Sequence, residues 1–356
     1  MARARAIARG IGVHRQRPTG TSRGALVVGH RGAAREEAEN TLPSFGRAVE
    51  LGADAIEADI CITRDRRFVV WHDADPNERV ALARQAGLEK LRYRPQGPDL
   101  GSPWRRPVRE LTLDELRRHY SYVPSDDEDA GGPGSGTRAE PIPLDDLLEW
   151  ASGEARLTDL FLDVKLDESQ TRDAAGLVEF LEETASGRTL PVIHLLSPCE
   201  PVIRQLAKST ARCRDRLRVS ADFELPGADR LAPPTGACDV SLGCGERLWI
   251  GFRGDVEACV RRREQGVFGC VVAWTVNDPK NLRRLVRDGV DGILTDDVAL
   301  LRRIVESDGH VSREAGGGRQ NQHKRDSRFC QFEIGRKFFS QADRLCFPNF
   351  DNNIFH

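Results

Sequence analysis

Short apolar runs alternate with amphipathic segments along most of the chain. The first apolar run, Ala25 to Gly29, precedes a segment from about Thr41 to Leu51 with apolar residues at helical spacing, and Asn40 is the predicted cap of that helix. Two further apolar runs follow, at Ala55 to Thr63 and at Phe68 to Trp71, and the spacing between them, over Arg64 to Arg67, suits a hairpin-like turn. These three runs predict β-strands, because they are short and are bounded by polar turn residues.

The alternation becomes regular in the second half of the chain. Further strands are predicted at Leu160–Leu166, Pro191–Leu196, Leu217–Ala221, Ala237–Leu242, Val271–Val276 and Gly292–Thr295. Helical segments follow most of them, and strands separated by helices pair in parallel through right-handed crossovers. About eight such strands over roughly 280 residues predict an α/β fold of the (β/α)8 TIM-barrel type. A doubly wound open sheet is the alternative, but no glycine-rich dinucleotide motif follows the first strand.

Three stretches depart from this alternation and define the predicted domain organisation. Residues 1–24 are rich in Arg and are predicted to form a basic, disordered lead. Within the barrel of residues 25–306, Pro, Gly and charged residues accumulate over about 74–140, which predicts an insertion after the early strands. A short helix inside this insertion is predicted to begin after a cap at Thr112. Residues 307–356 lack periodicity and are predicted to form a disordered, non-barrel C-terminal tail.

Composition narrows the class of protein. The 356 residues are 39% hydrophobic, enough to support a core, and the formal net charge of -2 gives no basic excess that would indicate nucleic-acid binding. The nine cysteines show no C-x-x-C spacing, so buried reduced thiols such as Cys61 and Cys270 are predicted. No apolar run is long enough to span a bilayer, and the lead lacks the apolar stretch of a secretory signal. We therefore expect a cytoplasmic protein, and a transit peptide is the alternative interpretation of the Arg-rich lead.

Carboxylates lie at the ends of two predicted strands, where a (β/α)8 barrel carries its functional groups. Glu57 and Asp59 are two positions apart and therefore share one face of their strand, and Asp163 belongs to a later strand. Three carboxylates that point towards one axis repel each other unless a cation lies between them. Oxygen ligands favour a hard ion, so these residues predict a site for Mg²⁺ or Ca²⁺.

Five further residues are predicted to lie at strand ends beside these carboxylates. Arg31 and Lys165 can bind the anionic oxygens of a phosphodiester, and His30 and His72 have the pKa range of a general acid and a general base. Trp274 ends a late strand. Each residue also has an ordinary structural interpretation: a half-buried histidine, an ion pair of Lys165 with its neighbouring carboxylate, a core tryptophan. Burial of three carboxylates without a cation is costly, however, and favours the functional interpretation of the set.

The same residues lie in stretches that resemble the glycerophosphodiester phosphodiesterase family. The matching stretches follow the order of the family from about Val27 to Asp297. They are His30-Arg31-Gly32, Glu39-Asn40-Thr41, Gly52-Ala53-Asp54, Ile56-Glu57-Ala58-Asp59, Val70-Trp71-His72-Asp73, Leu111-Thr112 with Glu115-Leu116, Ile142-Pro143-Leu144, Asp163-Val164-Lys165, Trp274-Thr275-Val276-Asn277, and Gly289-Val290-Asp291-Gly292 through Thr295-Asp296. The resemblance implies a metal-dependent phosphodiesterase.

The resemblance also implies a role for each candidate residue. The implied set comprises the metal ligands Glu57, Asp59 and Asp163, the acid and base His30 and His72, the phosphate ligands Arg31 and Lys165, and Trp274 on the alcohol side. One position departs from the family, which usually has Glu where this chain has Asp163; the related sphingomyelinase D-like enzymes resemble this chain there. The shorter acid leaves the choice of substrate open.

The leading hypothesis is hydrolysis of a glycerophosphodiester to glycerol 3-phosphate and an alcohol. The alternatives are phospholipase D-like cleavage of lysophospholipids or sphingolipids, and a catalytically silent barrel that binds phosphorylated ligands. The expected partner is a small-molecule phosphodiester or lysolipid, selected by the insertion. An exposed apolar rim there, to which Leu82, Leu88 and Leu91 would contribute, would favour the lipid substrate.

Overall fold

The computed structural model describes residues 24–125, 138–223, 239–244 and 249–315. The strands, numbered along the chain, are β1 (Leu26–Gly29), β2 (Ala55–Ile62), β3 (Phe68–Val70), β4 (Tyr93–Gln96), β5 (Ser121–Pro124), β6 (Ile142–Pro143), β7 (Asp159–Val164), β8 (Val192–Ser197), β9 (Leu217–Phe223), β10 (Asp239–Gly243), β11 (Cys270–Trp274) and β12 (Gly292–Thr295). The α-helices are α1 (Leu42–Glu50), α2 (Arg79–Gln85), α3 (Leu113–His119), α4 (Leu144–Gly153), α5 (Thr171–Ala185), α6 (Glu200–Ser209), α7 (Trp249–Glu264), α8 (Pro279–Asp288) and α9 (Val298–Ala315). The predicted lead up to residue 23, the glycine-rich part of the insertion at 126–137 and the tail from 316 onward lie outside these residues.

Eight parallel strands of the described residues close into a barrel. Their order around it is β1, β2, β7, β8, β9, β10, β11 and β12, and the ring closes because β1 pairs with both β2 and β12. Helices connect most successive strands, as parallel pairing requires. The predicted (β/α)8 barrel is therefore confirmed, and the open doubly wound sheet is wrong.

The side chains of the barrel strands alternate between two cores. On β2, Ile56, Ala58 and Ile60 pack outward in the layer between strands and helices, and the positions between them point into the barrel. Val28, Phe161, Leu196, Val272 and Leu294 fill the barrel interior. Because both faces are covered, all eight residues of β2 are buried. A polar side chain on the inner face is therefore held in a protein environment.

The third predicted strand lies outside the barrel. β3 pairs antiparallel with β2, with Val70 opposite Ile60, and β6 pairs antiparallel with β3. The pairing of β2 with β7 ends at Ile60, opposite Val164, so the last residues of β2 extend beyond the barrel and form a hairpin with β3. β3 leads the chain back towards the barrel, where the Trp71 N–H donates to the Asp59 carbonyl oxygen at 3.0 Å.

Helix starts follow the capping chemistry of the sequence, with one correction. Thr112 caps α3 in a reciprocal capping box with Glu115, as predicted. The predicted cap of α1 at Asn40 is wrong, because Thr41 is the cap and its hydroxyl accepts from the Ser44 N–H. Asn40 is instead left-handed, with φ of 57°, and its side-chain amide donates to Asp59. Asn40 and Thr41 both have side chains that can cap a helix. Because the side chain of Asn40 is bonded to Asp59, the capping position falls to Thr41.

The described part of the insertion has a small core of its own. α3 and the antiparallel pair β4–β5 contribute to a cluster around Trp71, Tyr93, Tyr120 and Tyr122, which are all buried. The Trp71 and Tyr122 rings lie with centroids 4.8 Å apart. Aromatic packing therefore docks the insertion against the end of β3, next to the barrel mouth.

The last helix is longer than the sequence pattern predicts. α9 continues to Ala315, past the expected boundary of the barrel at Glu306, and includes Gly309. No helix in the described ranges is both long and apolar enough to cross a membrane. Cys61 and Cys270, predicted as reduced thiols, are buried and form no disulfide.

A buried histidine lies at the amino-terminal end of the barrel. Nε2 of His194 lies 2.9 Å from Oδ1 of Asp159, and its ring stacks on Phe161 with centroids 4.3 Å apart. Nδ1 lies 3.5 Å from Oδ2 of Asp239, too far for a strong hydrogen bond but close enough for electrostatic attraction. Burial opposes the charge, but the two carboxylates outweigh it and raise the pKa of His194.

This histidine predicts a pH dependence of stability. A folded-state pKa above the unfolded value of about 6.5 stabilises the protein fully below that pH, and the contribution disappears as the pH rises through the folded pKa. We expect the difference in free energy of unfolding between the wild type and His194→Gln to shrink from about pH 5.5 to about pH 9. Urea denaturation at several pH values measures it. A difference that stays constant would mean that His194 is neutral in the folded protein.

Candidate functional site

Three carboxylates meet at the carboxyl end of the barrel. Glu57 and Asp59 project inward from β2 and Asp163 from β7, and Asp59 and Asp163 are directly opposite each other in the strand register. One oxygen from each carboxylate lies within 4.8 Å of the other two. Glu57 and Asp59 are buried, and Asp163 is partly exposed. The barrel thus brings together the acids that the sequence placed on separate strands.

The chemistry of this cluster fits a hard divalent cation. Burial and the neighbouring carboxylate of Asp59 raise the pKa of Glu57 to about 8, so the cluster lacks enough positive charge to keep all its acids ionised. Oδ1 of Asp163 is buried and has no hydrogen-bond partner. An oxygen-only donor set with one buried, unsatisfied oxygen is suited to Mg²⁺ or Ca²⁺ and unsuited to softer metals.

Two cations and an amide already hold Asp59. Nζ of Lys165 lies 3.1 Å from Oδ1 of Asp59 and donates to Oδ2 of Asp163 at 2.6 Å. On the other oxygen of Asp59, Nδ2 of Asn40 donates at 2.8 Å and Nε of Arg31 lies at 3.2 Å. Burial alone would favour the neutral acid, but Lys165 and Arg31 hold the pKa of Asp59 well below its usual range. Asp59 is therefore a permanent carboxylate.

Arg31 contacts carboxylates on both sides of its guanidinium. Nη1 donates to Oε2 of Glu39 at 2.9 Å and lies 3.5 Å from Oε1 of Glu89. Its backbone N–H donates to Oε2 of Glu57 at 2.9 Å, in a left-handed conformation with φ of 53°. Arg31 and Lys165 thus lie at the carboxylate cluster, and each is paired with acids of the protein.

Each of the two candidate histidines is held through Nδ1 by a carboxylate. Nδ1 of His30 lies 2.7 Å from Oδ1 of Asp296, and Nδ1 of His72 lies 2.7 Å from Oδ1 of Asp73. Nε2 of His30 lies 3.3 Å from the hydroxyl of Thr275. When Nδ1 donates to a carboxylate, Nε2 is the atom left for another partner. The acidic partner therefore selects which nitrogen can exchange a proton.

The two histidines have pKa shifts in opposite directions. Burial and Arg31 oppose the charge of His30, but Asp296 outweighs them and raises the pKa of His30. Burial and the cations Arg31 and Arg84 lower the pKa of His72 well below its usual value. His30 is therefore favoured in its protonated form, and His72 in its neutral form, whose Nε2 is free to accept a proton.

His72 reaches the site by a different route from the one predicted. It follows β3, which is antiparallel and lies outside the barrel, so His72 does not stand at the end of a barrel strand. The β2–β3 hairpin nevertheless brings His72 to the site. β3 runs antiparallel to β2, and Trp71, the residue before His72, bonds to the backbone of Asp59. His30, in contrast, directly follows β1 of the barrel.

Trp274 ends β11 and is held by an acid that the sequence did not single out. Its indole Nε1 donates to Oδ1 of Asp222 at 2.6 Å. Gly243 of β10 lies opposite Trp274 and has no side chain, so the indole can reach across β10 to β9. Burial and the nearby Asp163 raise the pKa of Asp222 to about 7. Asp222 is a fourth inward carboxylate at this end of the barrel.

Sequence reasoning missed the residues that orient the candidates. Asp73 and Asp296 stand inside the stretches His72-Asp73 and Thr295-Asp296, so a signal for them was present. Asn277 stands in the stretch Trp274-Thr275-Val276-Asn277, and it orients Asp296 because its Nδ2 donates to Oδ2 of Asp296 at 2.6 Å. Asp222 and Arg84 had no such signal, because their contacts form only in the folded chain.

Comparison with known proteins places the chain near a family of phosphodiesterases. Residues 30–160 match the glycerophosphoryl diester phosphodiesterase family. The chain is 24% identical over 302 residues to the glycerophosphodiester phosphodiesterase of Caldanaerobacter subterraneus subsp. tengcongensis, covering 80% of this chain and 99% of that protein. It is 39% identical over 74 residues to the human lysophospholipase D GDPD1, covering 21% of this chain and 23% of that protein.

The fold also matches a solved structure. The crystal structure of a glycerophosphodiester phosphodiesterase from Parabacteroides distasonis superposes with a TM-score of 0.56 at 21% identity, covering 80% of this chain and 98% of that chain. At this identity the likeness supports the barrel alone. The family match over residues 30–160 and the curated relatives make the chain similar to glycerophosphoryl diester phosphodiesterases, a class of phosphoric diester hydrolases.

Proposed function

We propose that this chain catalyses the metal-dependent hydrolysis of glycerophosphodiesters to glycerol 3-phosphate and an alcohol. The observation that carries the proposal is the pairing of two histidines, each oriented through Nδ1 by a carboxylate, with a three-carboxylate cluster at the same end of the barrel. This combination supplies the two proton-transfer groups and the cation site that phosphodiester hydrolysis needs.

Glu57, Asp59 and Asp163 would hold a divalent ion, Mg²⁺ or Ca²⁺. When bound, the ion would neutralise charge on the phosphate oxygens. We further propose that Arg31 and Lys165 contact the phosphate. Each would then bind the anionic substrate while keeping its contact with a carboxylate of the protein. Cations already held near the cluster need little reorganisation to receive an anion.

The two histidines would divide the proton transfers. A water molecule attacks phosphorus, the phosphorus–oxygen bond to the alcohol breaks, and the phosphate remains on glycerol. His72 would accept the proton of the water at Nε2, and His30 would donate a proton from Nε2 to the oxygen of the leaving alcohol. The directions of their pKa shifts support this assignment. Trp274 would line the alcohol side, in a rotamer that the bond to Asp222 favours.

A second candidate activity is phospholipase D-like cleavage of a lysophospholipid. The specific observation in its favour is that most of the exposed large hydrophobic residues of the described chain belong to the insertion. These residues are Val80, Leu82, Leu88, Leu100 and Trp104. Leu91, expected in the same rim, is half-buried. Exposed apolar groups on the insertion would be suited to contact an acyl chain. Assays of the purified protein on glycerophosphocholine, glycerophosphoinositol and lysophosphatidylcholine separate the two activities, and turnover of none of them would contradict both.

Removal of the metal should abolish turnover, and one substitution should test the ligand set. Asp163→Asn removes one charge and preserves shape, so we expect a higher metal concentration at half-maximal activity and an unchanged melting temperature. Asp163→Glu, which keeps the charge, serves as the matched control. Undiminished turnover after exhaustive chelation would exclude the metal from the reaction. A lower melting temperature with unchanged metal dependence would make Asp163 only an ion-pair partner of Lys165.

Substitution of either site histidine should lower turnover without unfolding the chain. We expect His30→Ala and His72→Ala each to lower kcat on the order of 10²–10⁴-fold, the range for a general acid or base. His119, a half-buried histidine that stacks on Trp104 in the insertion, provides the control, and His119→Ala should keep the kcat of the wild type. A near-wild-type kcat for His30→Ala or His72→Ala would show that the histidine concerned is structural.

A further inference from the structure

A buried arginine of the insertion lies behind the candidate site. Arg84 belongs to α2, and its side chain is 1% exposed. Its guanidinium contacts three carboxylates: Nε donates to Oδ1 of Asp73 at 2.9 Å, Nη1 donates to Oε2 of Glu89 at 2.7 Å, and Nη2 donates to Oε1 of Glu39. Every nitrogen of the side chain is therefore engaged by an acid.

All three of these carboxylates also contact candidate site residues, and Glu89 does so with Oε1 at 3.5 Å from Nη1 of Arg31. Oδ1 of Asp73 accepts from Nδ1 of His72 at 2.7 Å, so one oxygen joins Arg84 to the histidine. Oε2 of Glu39 accepts from Nη1 of Arg31 at 2.9 Å, so Glu39 lies between the two arginines. A single carboxylate therefore connects Arg84 to His72, the proposed proton acceptor, and another connects it to Arg31, a proposed phosphate ligand.

The positive charge of Arg84 offsets the repulsion between two buried carboxylates. Glu39 and Asp73 are both buried, and two carboxylates in this environment would repel each other and favour protonation. Burial opposes ionisation of Glu39, but Arg31 and Arg84 outweigh it and lower the pKa of Glu39. A guanidinium can bond to both acids at once because its donors form a planar fork, and an ammonium group at the same place cannot match both directions.

We propose that Arg84 is a positioning residue: it fixes Asp73 and Glu39, and through them it holds His72 and Arg31 in the arrangement used for catalysis. The proposal rests on the roles of His72 and Arg31 in the proposed function. It gives the insertion a second role besides selecting the substrate, because α2 completes the support of a site whose reacting groups all belong to other segments.

The test compares Arg84→Met and Arg84→Lys with a matched arginine of the same insertion. Arg105 is the control, because it donates to the carbonyl oxygens of Pro76 and Pro98 and contacts no candidate site residue. A small displacement of reacting groups can cost about 10²-fold in rate, so we expect Arg84→Met to lower kcat by about that factor with a smaller change in KM. Arg84→Lys should recover part of the loss, and Arg105→Met should keep the kcat of the wild type.

The outcomes separate this proposal from the proposed function. If the wild type hydrolyses no phosphodiester, the proposed function fails. If the wild type is active and folded Arg84→Met loses no more kcat than Arg105→Met, the positioning role is overturned. If Arg84→Met does not fold, Arg84→Lys decides. A folded Lys variant with reduced kcat supports the positioning role and its need for the planar fork of arginine. A folded Lys variant with the kcat of the wild type overturns that role. If neither folds, Asp73→Asn decides, since an unchanged kcat there would remove the link to His72.

Discussion

The mutual repulsion of buried carboxylates is the constraint on which this site depends. Glu57, Asp59 and Asp163 converge at the mouth of the barrel, and Asp222 adds a fourth acid nearby. Such a concentration of negative charge is unfavourable in a protein interior unless cations or bound donors compensate it. Lys165 supplies part of that compensation within the barrel. The raised pKa of Glu57 indicates that the cationic side chains do not fully balance the negative charge of the cluster. A divalent ion would supply the missing positive charge.

The barrel makes the cluster possible because it separates apolar and polar layers along each strand. Outward positions of β2 and β7 pack under the helices, so their inward positions are available for acids at the carboxyl end. Phe161 lies two residues before Asp163 on the inner face and belongs to the apolar filling of the barrel. The acids therefore rest on a dry layer, which keeps water from screening them from below and strengthens every interaction above it.

Much of the fold and part of the site could be predicted from local pattern. Apolar runs separated by amphipathic segments give parallel strands, and the spacing of Glu57 and Asp59 gives a shared face, because both follow from the periodicity of regular structure. The segment Arg64 to Arg67 indicates a hairpin-like turn before β3, and the antiparallel pairing of β2 and β3 agrees with it. The position of β3 outside the barrel could not be obtained in this way, since a short apolar run has the same appearance in a barrel and beside it. The same limit applies to Arg84 and Asp222. Their meaning comes from partners on other elements, such as Trp274 at 52 residues from Asp222, and no local pattern encodes that distance.

The shorter acid at position 163 is best understood through its neighbour. Oδ2 of Asp163 is taken by Lys165 at 2.6 Å, and Oδ1 is buried without a partner, so one oxygen serves the ion pair and the other remains for a cation. A glutamate would carry its carboxylate one methylene further from β7, towards the middle of the mouth, and could approach a cation while moving away from Lys165. Aspartate instead keeps the lysine between Asp163 and Asp59, where its positive charge faces the place proposed for the phosphate. Aspartate in place of glutamate would thus exchange reach towards the proposed ion for a lysine held beside the proposed phosphate ligands, and its effect should fall on how the substrate is held as much as on how the ion is bound.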